Sequence, residues 1–349
     1  MSKSAELLQK LGEHNLIEWL QINYNLSIKR VVSIPVGVSG SNYSIEDQDG
    51  KKYFLKLHLR KNVEDAEGLE NTLNLTAQLH ERGIANIPYA IRSAEQRVDE
   101  TWGDYVVVVT NYIEGGSLDE KSLSDSLLQQ LGVTLCKIHQ TNVEGIMLPV
   151  EPVDLSYALK LRSQLEFLQN GEEPKKYVGK LRELLLPRLA LLSQHLQTLE
   201  QLSEQVKASA GENVITHGDL IPDNLMLNDD GKLFIVDWDT AQLAPPERDV
   251  WFFMKNKTFL EGYRESNPKM QLNMERLAFY MYKRYIEDMV YWANQILHEN
   301  TTDEQNETDL EGIRVCCIER YKDIDEQIEK ARQLLEHYPV LESQKFKLK

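Results

Sequence analysis

Residues 214–239 read VITHGDLIPDNLMLNDDGKLFIVDWD. Two short apolar runs, 225–227 and 233–236, flank the turn-forming Asn228-Asp229-Asp230-Gly231, and the pattern predicts an antiparallel hairpin. In a hairpin the residue before the first strand lies opposite the residue after the second, which sets Asn224 beside Asp237. Asp219 precedes Asn224 by five positions, in a loop interrupted by Pro222. Two carboxylates and one amide oxygen are thus expected at one sheet end. An oxygen-only set of this kind suits Mg²⁺, which keeps waters and takes its other ligands from phosphates. Each residue alone is an ordinary turn former. The HGDxxxxN pattern, however, is expected by chance on the order of once in a thousand chains of this size, and VDWD at hairpin distance makes coincidence rarer.

Working outward, residues 4–22 predict an amphipathic helix. Strands follow at 29–35, 42–46 and 52–59, the last two joined by the hairpin turn Asp47-Gln48-Asp49-Gly50. Residues 63–82 predict one helix closed by Gly83. The stretches 98–100 and 105–112 predict another hairpin, turned at Thr101-Trp102-Gly103-Asp104. After Glu114-Gly115-Gly116 the pattern turns helical: 123–141, 155–169, and 178–207 with a break at Pro187. Helices return at 245–298 and 312–337. The stretch 299–312, six acids and no base, predicts a mobile surface loop. The expected class is α+β, with a small antiparallel-sheet lobe carrying one long internal helix (1–112) and a larger, mainly helical lobe (113–349) that holds a helical insert at 150–210.

HGDLIPDN and IVDWD resemble the catalytic and metal motifs of the aminoglycoside phosphotransferase and choline kinase family, small-molecule relatives of protein kinases. The resemblance implies a protein-kinase-like two-lobed fold, ATP as phosphoryl donor (GTP stays open) and Mg²⁺. It implies Asp219 as the catalytic carboxylate, orienting a substrate hydroxyl and accepting its proton, and Asn224 and Asp237 as metal and nucleotide ligands. His217 is expected to brace the loop. Asp239 is additional to the pattern: contact with substrate, a second metal and a cap on the next turn all suit it. The family also needs a strand lysine on the phosphates and a helix glutamate that orients it. In Tyr53-Phe54-Leu55-Lys56-Leu57-His58-Leu59 the leucines take one face and Lys56 the other. Glu70 falls within the stripe Ala66, Leu73, Ala77, whereas Glu67 shares a polar face with Asn71, Asn74 and Gln78. A carboxylate on an apolar stripe needs a partner, so Glu70 is expected to hold Lys56. The small residues around Ser39, Gly40 and Ser41 resemble the family's nucleotide loop. Residues 109–115 resemble its interlobe hinge, where the Asn111 carbonyl and Ile113 amide would meet the adenine edge.

The 349 residues carry 39 Lys+Arg against 55 Asp+Glu, a net charge of −16. That balance argues against nucleic acid or an anionic membrane as partner, since both require basic surface. Three cysteines without a CxxC spacing fit free thiols in a reducing, cytoplasmic setting. The longest strongly apolar runs, such as Val106–Val109, are too short to span a bilayer. Only six residues separate VDWD from Pro246-Glu247-Arg248-Asp249, which leaves no platform for a peptide and points to a small hydroxyl-bearing substrate. The stretches LAPPERDVWFF (243–253) and FYMYKRYIEDMVYW (279–292) resemble the spectinomycin-type aminocyclitol phosphotransferases. Asp239, Glu287 and Asp288 are the expected acids of a cleft for a cationic amino-sugar. A metabolic kinase for choline, homoserine or a thiosugar, a non-catalytic nucleotide-binding protein, and a metallohydrolase built on His217 and Asp219 stand as alternatives. Monomer and homodimer are both compatible with the sequence.

Overall fold

The computed structural model describes residues 3–34, 41–60, 66–171, 176–209, 211–267 and 271–337. Its backbone divides into two compact units: 1–149 with 214–243 and 261–266, and 150–213 with 244–260 and 267–349.

The first unit is built on a five-stranded antiparallel sheet in the order β1 (Ile28–Ile34), β2 (Ser41–Asp47), β3 (Lys52–Leu59), β5 (Tyr105–Asn111), β4 (Glu100–Trp102). Period-two alternation sends Tyr43, Ile45, Leu55, Leu57, Val107 and Val109 into one core with Leu16 and Leu20. Those leucines come from α2 (Glu13–Tyr24), which follows α1 (Lys3–Leu11). The sequence reads as one helix across this stretch, but Gly12 takes φ +87 and divides it. Other residues of the sheet, including Val108, pack with Leu73 of α3 (Ala66–Glu81). Gly83 follows at φ +92, the left-handed cap that the pattern predicts.

Past β6 (Gly116–Ser117), the same unit contains α4 (Asp125–His139), which Ser124 caps through the amide of Leu127. It also holds β7 (Val214–Thr216), and the hairpin β8 (Leu225–Leu227) and β9 (Leu233–Ile235). β7 pairs with β10 (Gln242–Ala244), while β6, β8 and β9 form a three-stranded sheet in that order.

The second unit is helical. It contains α5 (Ser156–Asn170), α6 (Lys176–Leu185) and α7 (Leu189–Ala208), and Pro187 lies in a 3₁₀ turn that divides the last two, as a proline there requires. α8 (Glu247–Val250) is a single turn, and α9 (Lys257–Ser266) contributes to both units. α10 (Met274–Asn294) packs against α5 and α7 and runs into a π-helical turn at Gln295–Glu299.

The expected acidic loop at 299–312 is instead largely helix, α11 (Asp303–Gly312). Thr302 and Gln305 form a reciprocal capping box, and Asp303 and Glu304 occupy the first turn, where the helix dipole favours acids. The charge run concealed an N-terminal signal that the T-x-x-Q spacing carries. A second π-helical segment, Ile313–Glu319, leads to α12 (Ile324–His337). Cys136, Cys316 and Cys317 are free thiols. Among the described residues no helix is long and apolar enough to cross a membrane.

Candidate active site

The β8–β9 hairpin forms with Leu225 opposite Ile235. Asn224 therefore meets Val236, whose amide donates to the Asn224 carbonyl at 2.9 Å. Asp237 comes one residue later than the sequence register suggests, and it turns sharply at φ +65. Few non-glycine residues occupy that left-handed region, though Asp tolerates it better than most. The strain is met by close constraint. His217, fully buried, lies with Nε2 2.8 Å from the Val236 carbonyl and Nδ1 3.2 Å from the Asp219 amide. These two contacts fix a neutral tautomer: Nε2–H donates to the carbonyl, and Nδ1 accepts from the amide. Trp238 stacks edge-on against the same imidazole at 4.8 Å between centroids, and its Nε1 donates to the Ile235 carbonyl at 3.0 Å. Thr240 donates to the His217 carbonyl at 2.8 Å. His217 is thus a brace, as the sequence suggests.

Asn224 reaches back into the preceding loop. Its Nδ2 donates to the Asp219 carbonyl at 2.8 Å and to Asp219 Oδ2 at 3.0 Å. Spending the amide nitrogen on Asp219 leaves Asn224 Oδ1 to face a cation. Asp219 and Asn224 are partly buried, while Asp237 and Asp239 are exposed. The protein mass around Asp237 nevertheless desolvates its carboxyl and raises the pKa. Asp239 and Asp219 push it further up, against the opposing charge of Lys56. That crowding of negative charge is what a bound cation would relieve. The donors are all oxygen, as Mg²⁺ prefers. Among the described residues no three His, Cys, Asp or Glu side chains gather to cage a metal by themselves. A cation here would complete its shell with waters or substrate oxygens.

Lys56 enters this field from β3. It pairs with Val108 and Asn42 across the sheet, so it points to the face opposite the Leu55 and Leu57 core. His58 shares that face. Burial, and then the Lys56 ammonium, push its pKa down to about 4, with Asp239 opposing. The expected partner for Lys56 is not in place. Glu70 is exposed on α3, its charge acts on Asp99, and no ion pair joins it to Lys56 among the described residues. The helical stripe overstated its burial: Ala66 on that stripe is exposed too, and the face that packs with Val108 carries Leu69 and Leu73 instead. Glu67 is exposed as well.

At the hinge, β5 ends at Asn111, opposite Tyr53. The Asn111 side chain is tied down, its Oδ1 accepting from the Tyr89 amide at 2.7 Å. The Ile113 amide donates no hydrogen bond among the described residues. Lys52 pairs with Glu114 at 2.5 Å on the surface. Gly115 follows at φ +138, and a Cβ there would lie 2.0 Å from the Leu227 carbonyl oxygen. Only glycine lets the hinge pass over the hairpin, after which Gly116 pairs with Leu227. The sequence reads Gly115 as part of the interlobe hinge; the close approach behind it has no signal in a single sequence. Ser41 opens β2 and is buried, whereas Ser39 and Gly40 lie outside the described residues.

Glu287 and Asp288 belong to α10 in the second unit. Each is matched by a cation one turn earlier: Glu287 by Lys283 at 3.9 Å, and Asp288 by Arg284 at 2.8 Å. They do not form the surplus of negative charge that an acid-lined cleft requires.

The profile of APH, the phosphotransferase enzyme family, matches residues 30–280. Among solved structures, a spectinomycin phosphotransferase in complex with ADP and spectinomycin is similar at 21% identity and a TM-score of 0.75, over 92% of this chain and 98% of that one. An aminoglycoside phosphotransferase from Alicyclobacillus acidocaldarius is similar at 14% identity and a TM-score of 0.62, over 90% and 94%. A choline kinase from Streptococcus pneumoniae is similar at 18% identity and a TM-score of 0.51, over 87% and 99%. The α+β architecture is the kinase-like fold these proteins share.

Proposed function

The chain belongs to the APH phosphotransferase enzyme family and is a small-molecule phosphotransferase; on that premise we propose that it moves the γ-phosphoryl group of ATP to a hydroxyl of a small cationic molecule, an aminoglycoside or aminocyclitol antibiotic. The observation that carries this reading is the Asn224 amide, which binds Asp219 through two hydrogen bonds from its nitrogen and so keeps its oxygen as an acceptor. One residue thereby orients the base and offers a cation ligand.

Residues 1–112 would form the nucleotide lobe, with the adenine edge against Asn111 and the free Ile113 amide. Lys56 would then lie on the phosphates, drawn to the same space as Asp237. Asp219 would hold the acceptor hydroxyl in line and take its proton as the phosphoryl group departs. Asn224 Oδ1 and Asp237 would hold Mg²⁺, which neutralises the charge on the transferring group. Positioning supplies most of the catalysis, because the transition state is loose. Glu70 stays outside this scheme, since it is exposed and no ion pair joins it to Lys56 among the described residues. Asp239, exposed and without an ion-pair partner among the described residues, is the carboxylate left to meet an amine. The structure of the spectinomycin enzyme with ADP and spectinomycin supports both the donor and the acceptor class. An antibiotic acceptor would make the protein a resistance determinant, and the free thiols suit a cytoplasmic setting.

The test is an ATP-consumption screen over aminocyclitols, aminoglycosides, choline and homoserine, with mass detection of the added phosphate. Turnover on choline or homoserine alone would overturn the antibiotic reading. Asp219→Asn should lower kcat by about a thousandfold or more while nucleotide affinity holds, as expected for the loss of a positioned base. Wild-type turnover in that variant would exclude Asp219 as the base.

A further inference from the structure

β9 is the edge strand of its small sheet, with β8 on one side only. Its other edge is occupied by Asn86, from the loop that follows α3. The Ile235 amide donates to the Asn86 carbonyl at 2.9 Å, and Asn86 Nδ2 donates to the Leu233 carbonyl at 2.7 Å. One asparagine thus supplies both an acceptor and a donor to alternate residues, as a paired strand would. Lys232 adds a contact from its Nζ to the Ala85 carbonyl at 3.3 Å.

The same loop continues to the hinge. Ile87 is fully buried. The Asn111 amide donates to the Tyr89 carbonyl at 3.2 Å, and the Tyr89 amide donates to Asn111 Oδ1. The Ile91 amide then donates to the Val109 carbonyl at 2.8 Å. Residues 86–91 are therefore a strap, pinned to β9 at one end and to the last residues of β5 at the other.

Asp237 lies two residues beyond Ile235 in a strained conformation that persists only if its surroundings over-determine it. The neighbours of Asp237 are held from several sides. Asn224 binds the Val236 amide, His217 the Val236 carbonyl, Trp238 the Ile235 carbonyl and Asn86 the Ile235 amide. Three of these four come from the motif segment itself. Asn86 is the one from outside it.

We propose that Asn86 is a positioning residue for Asp237, and that the strap 86–91 couples the cation-binding carboxylate to the hinge edge at Asn111. This rests on the proposed role of Asp237 as a cation ligand. The Asn86 side chain acts through its amide on the Leu233 carbonyl, which fixes the strand that aims the carboxylate; the backbone carbonyl on the Ile235 amide stays whatever residue stands at 86.

Asn86→Asp removes the donor at constant shape, and Asn86→Ala removes the side chain. Two measurements decide. The first is amide hydrogen exchange of the free protein, read for a peptide covering 233–239. Exchange there should accelerate by about three- to tenfold in both variants, the range that one lost hydrogen bond commands, with the five-stranded sheet unchanged. The second is Mn²⁺ affinity of the ADP-loaded protein, which should weaken by a similar factor. In turnover, kcat should fall while KM for the nucleotide at saturating metal holds, the signature of lost positioning rather than lost binding. Unchanged exchange at 233–239 would overturn the proposal. So would a fall in melting temperature with exchange raised everywhere and Mn²⁺ affinity intact, because that is a merely structural role. Wild-type protein that bound neither ADP nor Mn²⁺ would sink the reading of the site itself, and the exchange arm would still decide whether Asn86 holds the strand.

Discussion

At the residue scale, Asp237 combines two costs that a structural residue would not carry together. Its backbone is left-handed, and its carboxylate stands among Asp219 and Asp239 in a desolvated setting that raises its pKa. A folded-state pKa above the unfolded one means that ionisation opposes folding, so the penalty is present at neutral pH and fades as pH falls through the folded value. Asp237→Asn removes the charge, keeps an amide that tolerates the left-handed region, and should raise the melting temperature at pH 7. The gain should shrink towards pH 4. Turnover should disappear in the same variant, since the anionic cation ligand is gone. Such opposition between stability and activity marks a site selected for chemistry. Thermal melts at several pH values, alongside ATP turnover, test it; a variant less stable than wild type at pH 7 would show that Asp237 serves the fold instead.

At the element scale, the hairpin at 225–235 was legible because its apolar runs and turn residues act locally. So was the face of Lys56, which follows from alternation along β3. Glu70 is hard to place from sequence because helical periodicity reports which residues share a stripe, not where the buried face ends. Here that face carries Leu69 and Leu73 and leaves Ala66 and Glu70 exposed. The capping box at Thr302 was overshadowed by charge, and the break at Gly12 by an amphipathic pattern that continues across it. The strap at Asn86 and the crossing at Gly115 are contacts between segments more than 100 residues apart, and neither leaves a periodic trace. Gly115 makes a sharp prediction. Gly115→Ala places a Cβ against the Leu227 carbonyl and forces a non-glycine residue to φ +138. The clash is with backbone, so β6 must separate from β8. The loss should exceed the roughly 1 kcal/mol of an ordinary glycine substitution. Denaturant melts should register it, and KM for ATP should rise because the hinge moves with β6. A variant as stable as wild type would mean that the hinge has slack.

At the scale of the molecule, each unit is assembled from chain segments that leave and return, so each needs ties between its pieces. In the second unit Glu151 supplies one. It begins the segment 150–213, and its carboxylate accepts from Arg248 at 3.1 Å in the second segment. From the third segment it accepts from Lys283 and from the Tyr280 hydroxyl, the latter at 2.6 Å. Glu151 is 6% exposed, Arg248 10% and Lys283 16%. Desolvation alone would raise the Glu151 pKa; Lys283 and Arg248 overcome it and hold the carboxyl below its ordinary value. A depressed carboxylate pKa gives stability that is present above the unfolded value, near 4.5, and is lost as pH falls through the folded one. Glu151→Ala removes the carboxylate that two largely buried cations share and should cost about 3–5 kcal/mol, the usual penalty for removing one partner of a buried ion pair. Glu151→Gln keeps one acceptor oxygen, for the two cations or for Tyr280 but not for both, and should cost less. In both variants stability should fall less steeply than in wild type as pH drops below the unfolded value, because the Glu151 contribution is gone. Urea melts across that range decide the matter. An alanine variant within about 1 kcal/mol of wild type would show that the carboxylate only neutralises charge that solvent could handle as well, the usual outcome for an exposed pair.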